Sequence, residues 1–259
     1  MEFLDRHWKR IGERGDRSIV GQIAEITSID PRYLTGKTNN LSEVSVATKL
    51  SWMAGRTTEQ VEDIAYSLIG LLGVSMIPNY GEGLKAFQSL QIALFSAGND
   101  FDESLFAWTT PGKLWCYSNE KFTAKFDKKE WGLLAPSPDC FTASSGVQKK
   151  EISPRRSKGF DWNNQGVTVS LPWRETRNSF GVEKKAISFG LNCLQGDKQV
   201  VIELARVSEG GRVVWKRSEC EKLGRRPEKK ITGKSLGVQQ PSAAYNDITV
   251  AQKTYDPSE

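Results

Sequence analysis

The chain has 259 residues, enough for one large domain or two small ones. With 38% apolar and 26% charged residues it fits neither a membrane protein nor a disordered tail, and no run approaches the roughly 18 apolar residues that a bilayer span needs. Its net charge of +5 is uneven: residues 1–110 hold 10 Lys/Arg against 14 Asp/Glu, and residues 111–259 hold 26 against 17.

The first part carries helical spacing. Phe3, Leu4, His7, Trp8 and Ile11 recur at intervals of three and four, which predicts a helix over residues 2–14. Asp16 is a cap for a second helix carrying Ile19, Val20, Ile23 and Ile26. Asp30-Pro31 marks a turn, because the residue before proline is pushed out of the helical region. A third helix follows Ser42, with Val44, Ala47, Leu50 and Ala54 turned inward. Thr57 with Gln60 fits a capping box, and Glu59, Glu62 and Asp63 fall where carboxylates favour a helix start. Val61, Ile64, Ala65, Leu68, Ile69 and Leu72 then form a broad apolar stripe. Gly83 opens a last helix with Leu84, Phe87, Leu90 and Leu94.

The second part carries strand patterns. Trp115, Phe122, Phe126 and Trp131 lie in a polar connection that ends in the turn-rich Pro136-Ser137-Pro138-Asp139. Short β-branched runs follow at Val167–Leu171, Ala186–Cys193, Gln199–Val207, Arg212–Arg217 and Asp247–Ala251. Gln195-Gly196-Asp197 and Ser208-Glu209-Gly210-Gly211 are hairpin loops between them, and residues 222–244 hold too few apolar side chains to pack. The expected fold class is α+β: a helical segment over 1–110, a connecting segment over 111–150, and a mainly antiparallel β domain over 151–255.

Few residues invite chemistry. Gly81-Glu82-Gly83-Leu84-Lys85-Ala86 matches GxGxxG/A before a helix, but a dinucleotide site also needs a preceding strand and a βαβ unit. Pro78 interrupts the approach, and Glu82 would set a carboxylate beside a pyrophosphate. A tight turn with a close helix approach is the stronger reading, and no cofactor is expected. His7 is the single histidine and is expected to pack on a helix face. Glu62 and Asp63 diverge by about 100° on a helix, which disfavours paired-carboxylate catalysis. Arg56, one turn earlier, can pair with one of them. Cys116, Cys140, Cys193 and Cys220 are too scattered for a metal pair or a secreted disulfide framework, so a reduced intracellular, cytoplasmic protein is expected. Lys149-Lys150, Arg155-Arg156-Lys158, Arg225-Arg226 and Lys229-Lys230, with Trp162 and Trp173 nearby, raise a nucleic-acid reading. Solvated loops and core tryptophans explain them better, so nucleic acid and membrane are not expected partners.

A larger pattern joins these residues. Ser45-Val46-Ala47, Leu50-Ser51-Trp52, Arg56-Thr57-Thr58, Glu62-Asp63-Ile64-Ala65-Tyr66, Leu68-Ile69-Gly70, Tyr80-Gly81-Glu82-Gly83, Ala86-Phe87, Leu90-Gln91 and Ser104-Leu105-Phe106-Ala107-Trp108 follow one another in order. Together they resemble the segment that follows the HET domain in fungal heterokaryon-incompatibility proteins. Phe3, Asp5, Trp8, Ile11 and Gly12 resemble the end of the HET domain itself, and Gly132–Pro138 with the later strands resembles the downstream region. Glu59, Ile77 and Asn79 depart from the pattern. The resemblance implies a fungal source and a role in non-self recognition or cell-death signalling. It also implies that a TIR-like attack on NAD, seated in the HET domain, has no residues to map onto here. The expected function is therefore a non-enzymatic accessory or regulatory module working through protein partners, or through a HET domain supplied by another chain. A truncated effector and a basic nucleic-acid-binding module are the rivals. Arg56, Glu62, Asp63, Tyr80, Gly81, Glu82 and Gly83 are the candidate structural or interaction motif, with no catalytic, cofactor-binding or metal residue expected.

Overall fold

The fold is a computed structural model that describes residues 2–13, 15–35, 41–95, 101–110, 132–150, 160–163, 165–172, 182, 184–209, 211–221, 223–227 and 245–251. It is α+β and divides into two compact units, Met1–Val44 and Ser45–Glu259. No helix among the described residues is long and apolar enough to cross a membrane.

The first unit opens on a hairpin, not on the expected helix. Strands β1 (Glu2–Leu4) and β2 (Arg10–Glu13) pair antiparallel, with Phe3 opposite Gly12. Asp5 is the cause: its Oδ1 accepts from the amides of His7 at 2.8 Å and Lys9 at 2.9 Å, bonds that compete with a helical turn. Trp8 takes a positive φ of 64° at the reversal. His7 is consequently exposed, its Nε2 accepting from Arg6 Nε at 3.0 Å, and is no packed core histidine. Helix α1 (Arg17–Thr27) follows as expected, burying Ile19 and Val20 but leaving Ile26 exposed. Asp16 holds the cap position, yet its Oδ2 accepts from Glu13 N at 2.7 Å and does not cap the helix. Helix α2 (Pro31–Leu34) starts at the proline, with Asp30 accepting from Arg32 N.

In the second unit, helix α3 (Val46–Ser51) is capped by Ser45, three residues later than its expected start, so Ala54 falls beyond its end. The stripe expected as one helix is split into α4 (Asp63–Tyr66) and α5 (Ile69–Leu72) at Ser67-Leu68, where Leu68 N donates to Ala65 O three residues back. The Thr57–Gln60 capping box does not form; Thr58 Oγ1 instead donates to Gln60 O. Ile64, Ala65 and Leu68 are nevertheless buried. Helix α6 (Lys85–Phe95) buries Ala86, Phe87, Leu90 and Leu94.

Among the described residues the sheet has eight strands: β3 (Val147–Lys149), β4 (Phe160–Asn163), β5 (Gly166–Pro172), β6 (Ala186–Gln195), β7 (Lys198–Glu209), β8 (Arg212–Ser218), β9 (Gly224–Pro227) and β10 (Tyr245–Ala251). Their order is β3-β6-β7-β8-β10-β5-β4, and β9 pairs with the start of β7. Every pairing is antiparallel except β10 with β8. Both expected hairpins are present, Gly196 at a φ of 64° and Gly211 at 78°. Strand β9 corrects the reading of 222–244 as unpacked: backbone pairing to Lys198–Val201 holds it without an apolar face.

One buried cluster runs from α3, α4 and α6 through the turn Glu103–Phe106 to the inner residues of β5–β8 and β10. Polar side chains fix its layers. Gln91 on α6 grips the backbone of Ala135 with both ends of its amide, at 2.8 and 2.9 Å, and Trp108 Nε1 donates to Leu133 O. Trp162 packs against this cluster, consistent with a core tryptophan. Cys140, Cys193 and Cys220 are buried thiols. Cys116, Trp115, Phe122, Phe126, Trp131, Arg155, Arg156, Lys158, Trp173, Lys229 and Lys230 lie outside the described residues.

Candidate functional site

Six of the seven motif residues meet where α4 faces the loop between α5 and α6. Burial of Ile64, Ala65 and Leu68 sets the rotation of α4, leaving Glu62 and Asp63 toward that loop. The loop turns on two left-handed glycines, Gly81 at a φ of 101° and Gly83 at 57°. Their amides converge on one oxygen: Glu62 Oε1 accepts from Gly81 N at 2.9 Å and Gly83 N at 3.0 Å. Inward-turned amides of this kind form an anion-binding nest, and here the anion is a side chain of the same unit. Glu62 stands at the start of α4 as expected, yet it is only 5% exposed. Its own amide and that of Gly81 hold its pKa below the ordinary carboxylate value, burial opposes them, and Gly83 adds to the lowering.

Asp63 faces the same loop: Tyr80 OH donates to its Oδ1 at 2.7 Å. Both carboxylates therefore engage one segment despite their angular divergence, because the loop wraps across the helix start. Glu82 is held from two sides. Its Oε1 lies 2.9 Å from Tyr66 OH, and its Oε2 accepts from Ser89 on α6 at 3.2 Å. Tyr66 OH also accepts from Asn79 N and lies 2.8 Å from Asn79 O, so its one proton serves either that carbonyl or Glu82. The rings of Tyr66 and Tyr80 meet edge to face at 5.4 Å. Burial raises the Tyr66 pKa, and the hydrogen bond given to Asp63 raises that of Tyr80.

Arg56 is not part of the cluster. It donates Nε to Trp52 O at 2.8 Å, and no ion pair among the described residues joins it to Glu62 or Asp63. Three residues absent from the expected set belong to it: Tyr66, Asn79 and Ser89. Tyr66 was within reach of sequence reasoning, one helical turn after Glu62.

The arrangement is a clasp. The Gly81 and Gly83 amides, which a phosphate would need, are held by Glu62, and no strand precedes them over residues 74–79. Among the described residues no three His, Cys, Asp or Glu side chains gather around a metal-sized site. What the clasp presents outward is Tyr80, 61% exposed, and Ile77, 89% exposed.

Charge-assisted hydrogen bonds to two amides make Glu62 the clasp's strongest single tie. Glu62→Gln is expected to cost about 1–2 kcal/mol at pH 7. Because the folded pKa is depressed, the contribution of Glu62 is complete above its unfolded value near 4.5 and is lost as pH falls through the folded value. Urea melts of both proteins at neutral and acid pH should therefore converge in the acid limb. A constant gap down to pH 3 would contradict the clasp.

Over 92 residues the chain is 39% identical to the Vegetative incompatibility protein HET-E-1 of Podospora anserina. That stretch is 35% of this chain and 6% of that protein, so the chain spans a small part of its relative's length. No family model matches the chain. No solved structure matches it.

Proposed function

We propose that the chain is a non-enzymatic accessory module of a fungal vegetative-incompatibility system, acting inside the cell through protein contacts. The observation that carries this reading is the 39% identity to an incompatibility protein, read beside a clasp whose polar groups are spent on one another. A catalytic carboxylate needs a proton or a substrate within reach. Glu62, Asp63 and Glu82 each hold a hydrogen-bond donor from their own fold instead. The outward side of the clasp, Ile77 and Tyr80, is then the surface offered to a partner.

A second reading is a piece of a larger effector whose TIR-like activity lies in another segment, favoured by the 6% of the relative that is matched. One assay addresses catalysis in this chain directly. Purified protein at micromolar concentration is expected to leave NAD unconsumed over hours. Turnover that a single Glu62→Gln, Asp63→Asn or Glu82→Gln change abolishes would overturn the non-enzymatic reading.

A further inference from the structure

Asp63 keeps one carboxylate oxygen beyond the clasp. Its Oδ1 accepts from Tyr80 OH at 2.7 Å, and no hydrogen bond among the described residues reaches its Oδ2. Glu82 differs, with one oxygen 2.9 Å from Tyr66 OH and the other accepting from Ser89 at 3.2 Å. Asp63 is half-buried, and the Tyr80 residue that reaches it is 61% exposed. A Cβ placed on Gly81, the next residue, would meet no atom within 4 Å, and neither would one on Gly83. That flank of the loop is open to an approaching chain.

The charge of the clasp is also uncompensated. Glu62, Asp63 and Glu82 take their hydrogen bonds from amides and hydroxyls, which are neutral donors. Among the described residues none of the three has an ion pair. Residues 45–110 as a whole hold 3 Lys/Arg against 7 Asp/Glu. Tyr80 registers this negative field: the bond given to Asp63 raises its pKa most, then burial, then the charges of Asp63 and Glu62.

We propose that Asp63 and Tyr80 form the docking site for an arginine carried by a partner protein, its guanidinium lying over the Tyr80 ring and donating to Asp63 Oδ2. This names the partner's chemistry and rests on the protein-contact function proposed above. A guanidinium is planar, stacks on aromatic faces and offers five donors in a fixed fork, whereas an ammonium is a compact point charge. A carboxylate oxygen in need of a donor, beside an exposed ring, therefore suits arginine better than lysine. Ile77, 89% exposed and three residues before Tyr80, offers an apolar contact to the arginine's neighbours in the partner. The same negative charge opposes nucleic acid and anionic lipid at this surface.

The probe is the peptide acetyl-Leu-Arg-Leu-Arg-amide, compared with its lysine and citrulline counterparts. Each is titrated into the whole chain and followed by the NMR signals of the Tyr80 ring. The arginine peptide should bind the native chain about tenfold more tightly than the citrulline peptide and about threefold more tightly than the lysine peptide. Asp63→Asn retains an acceptor for Tyr80 OH, so it keeps the clasp while weakening the arginine peptide by about tenfold. Tyr80→Phe keeps the ring and should stay within about twofold of the native affinity. Absence of binding to the native chain, equal affinity for the citrulline or lysine peptide, or an Asp63→Asn chain that binds as the native one does would each overturn the arginine site. The protein-contact function fails separately, if a folded chain without the Ile77 and Tyr80 side chains still supports incompatibility. Peptides that fail while that chain loses the reaction remove the arginine and leave the contact.

Discussion

Replacing Arg217 by Ala is expected to lower the unfolding free energy by about 3–5 kcal/mol, while Arg217→Met costs about half as much. Arg217 projects from β8 into the core and is 1% exposed. Its guanidinium stacks 4.0 Å over the ring of Trp108, Nη1 donates to Phe106 O at 3.1 Å, and Nη2 donates to Trp108 O. Burial draws its pKa down to about 10, against the opposing pull of Cys220 and Cys140, so the group is charged at neutral pH. Truncation to Ala opens a cavity beneath Trp108, removes the cation–π contact, and strips two buried carbonyls of their donor. Met refills most of the volume and no longer buries a charge, which offsets part of the lost bonding. Urea melts of the two variants separate these terms. A loss below about 1 kcal/mol for Arg217→Ala would mean that the stack over Trp108 does not hold the core.

Gly166→Ala is expected to be comparably damaging, at about 3 kcal/mol or more. Gly166 begins β5 at a φ of 137°, and a Cβ there would stand 2.1 Å from Val250 O and 3.0 Å from Val250 C on β10. Both obstacles are backbone atoms in a paired strand, so relief requires parting Gly166 from Ala251 at the end of the ladder. Gly211→Ala is the control: its φ of 78° is equally left-handed, but nothing lies within 4 Å of the added carbon. The control should lose about 1 kcal/mol, the cost of the backbone conformation alone. Equal melts for the two variants would contradict the close approach of β5 and β10.

The parts of the fold that the sequence displayed are those decided locally. Helix α1 and the β6–β7 hairpin follow from apolar spacing and from a glycine at the required turn position. The β1–β2 hairpin escaped because Phe3, Leu4, His7, Trp8 and Ile11 satisfy helical spacing, while the outcome turns on two amide bonds to Asp5. Strand β9 escaped because its pairing with β7 is carried by backbone bonds, with Arg226 Nε donating to Gln199 Oε1 at 3.0 Å, and not by an apolar run. For the clasp, residue types and loop chemistry pointed to its members but not to who touches whom. Glu62 is buried by amides 19 and 21 residues away, a contact no local pattern encodes. Arg56 was a reasonable ion partner by spacing, yet its guanidinium is taken by the carbonyl of Trp52.

The proposal that the clasp is a scaffold for a protein-contact surface in a fungal incompatibility system is tested most directly in the source organism. A strain lacking the gene would be complemented with the native chain or with an Ile77→Ser, Tyr80→Ser double variant, and its incompatibility reaction scored against a strain of opposing type. Both side chains are largely exposed, but Tyr80→Ser also removes the bond to Asp63 and the ring contact with Tyr66, so the double variant is expected to melt below the native protein while keeping a cooperative urea transition. The account predicts that this folded variant fails to restore the reaction. A folded double variant that restores the full reaction would contradict it.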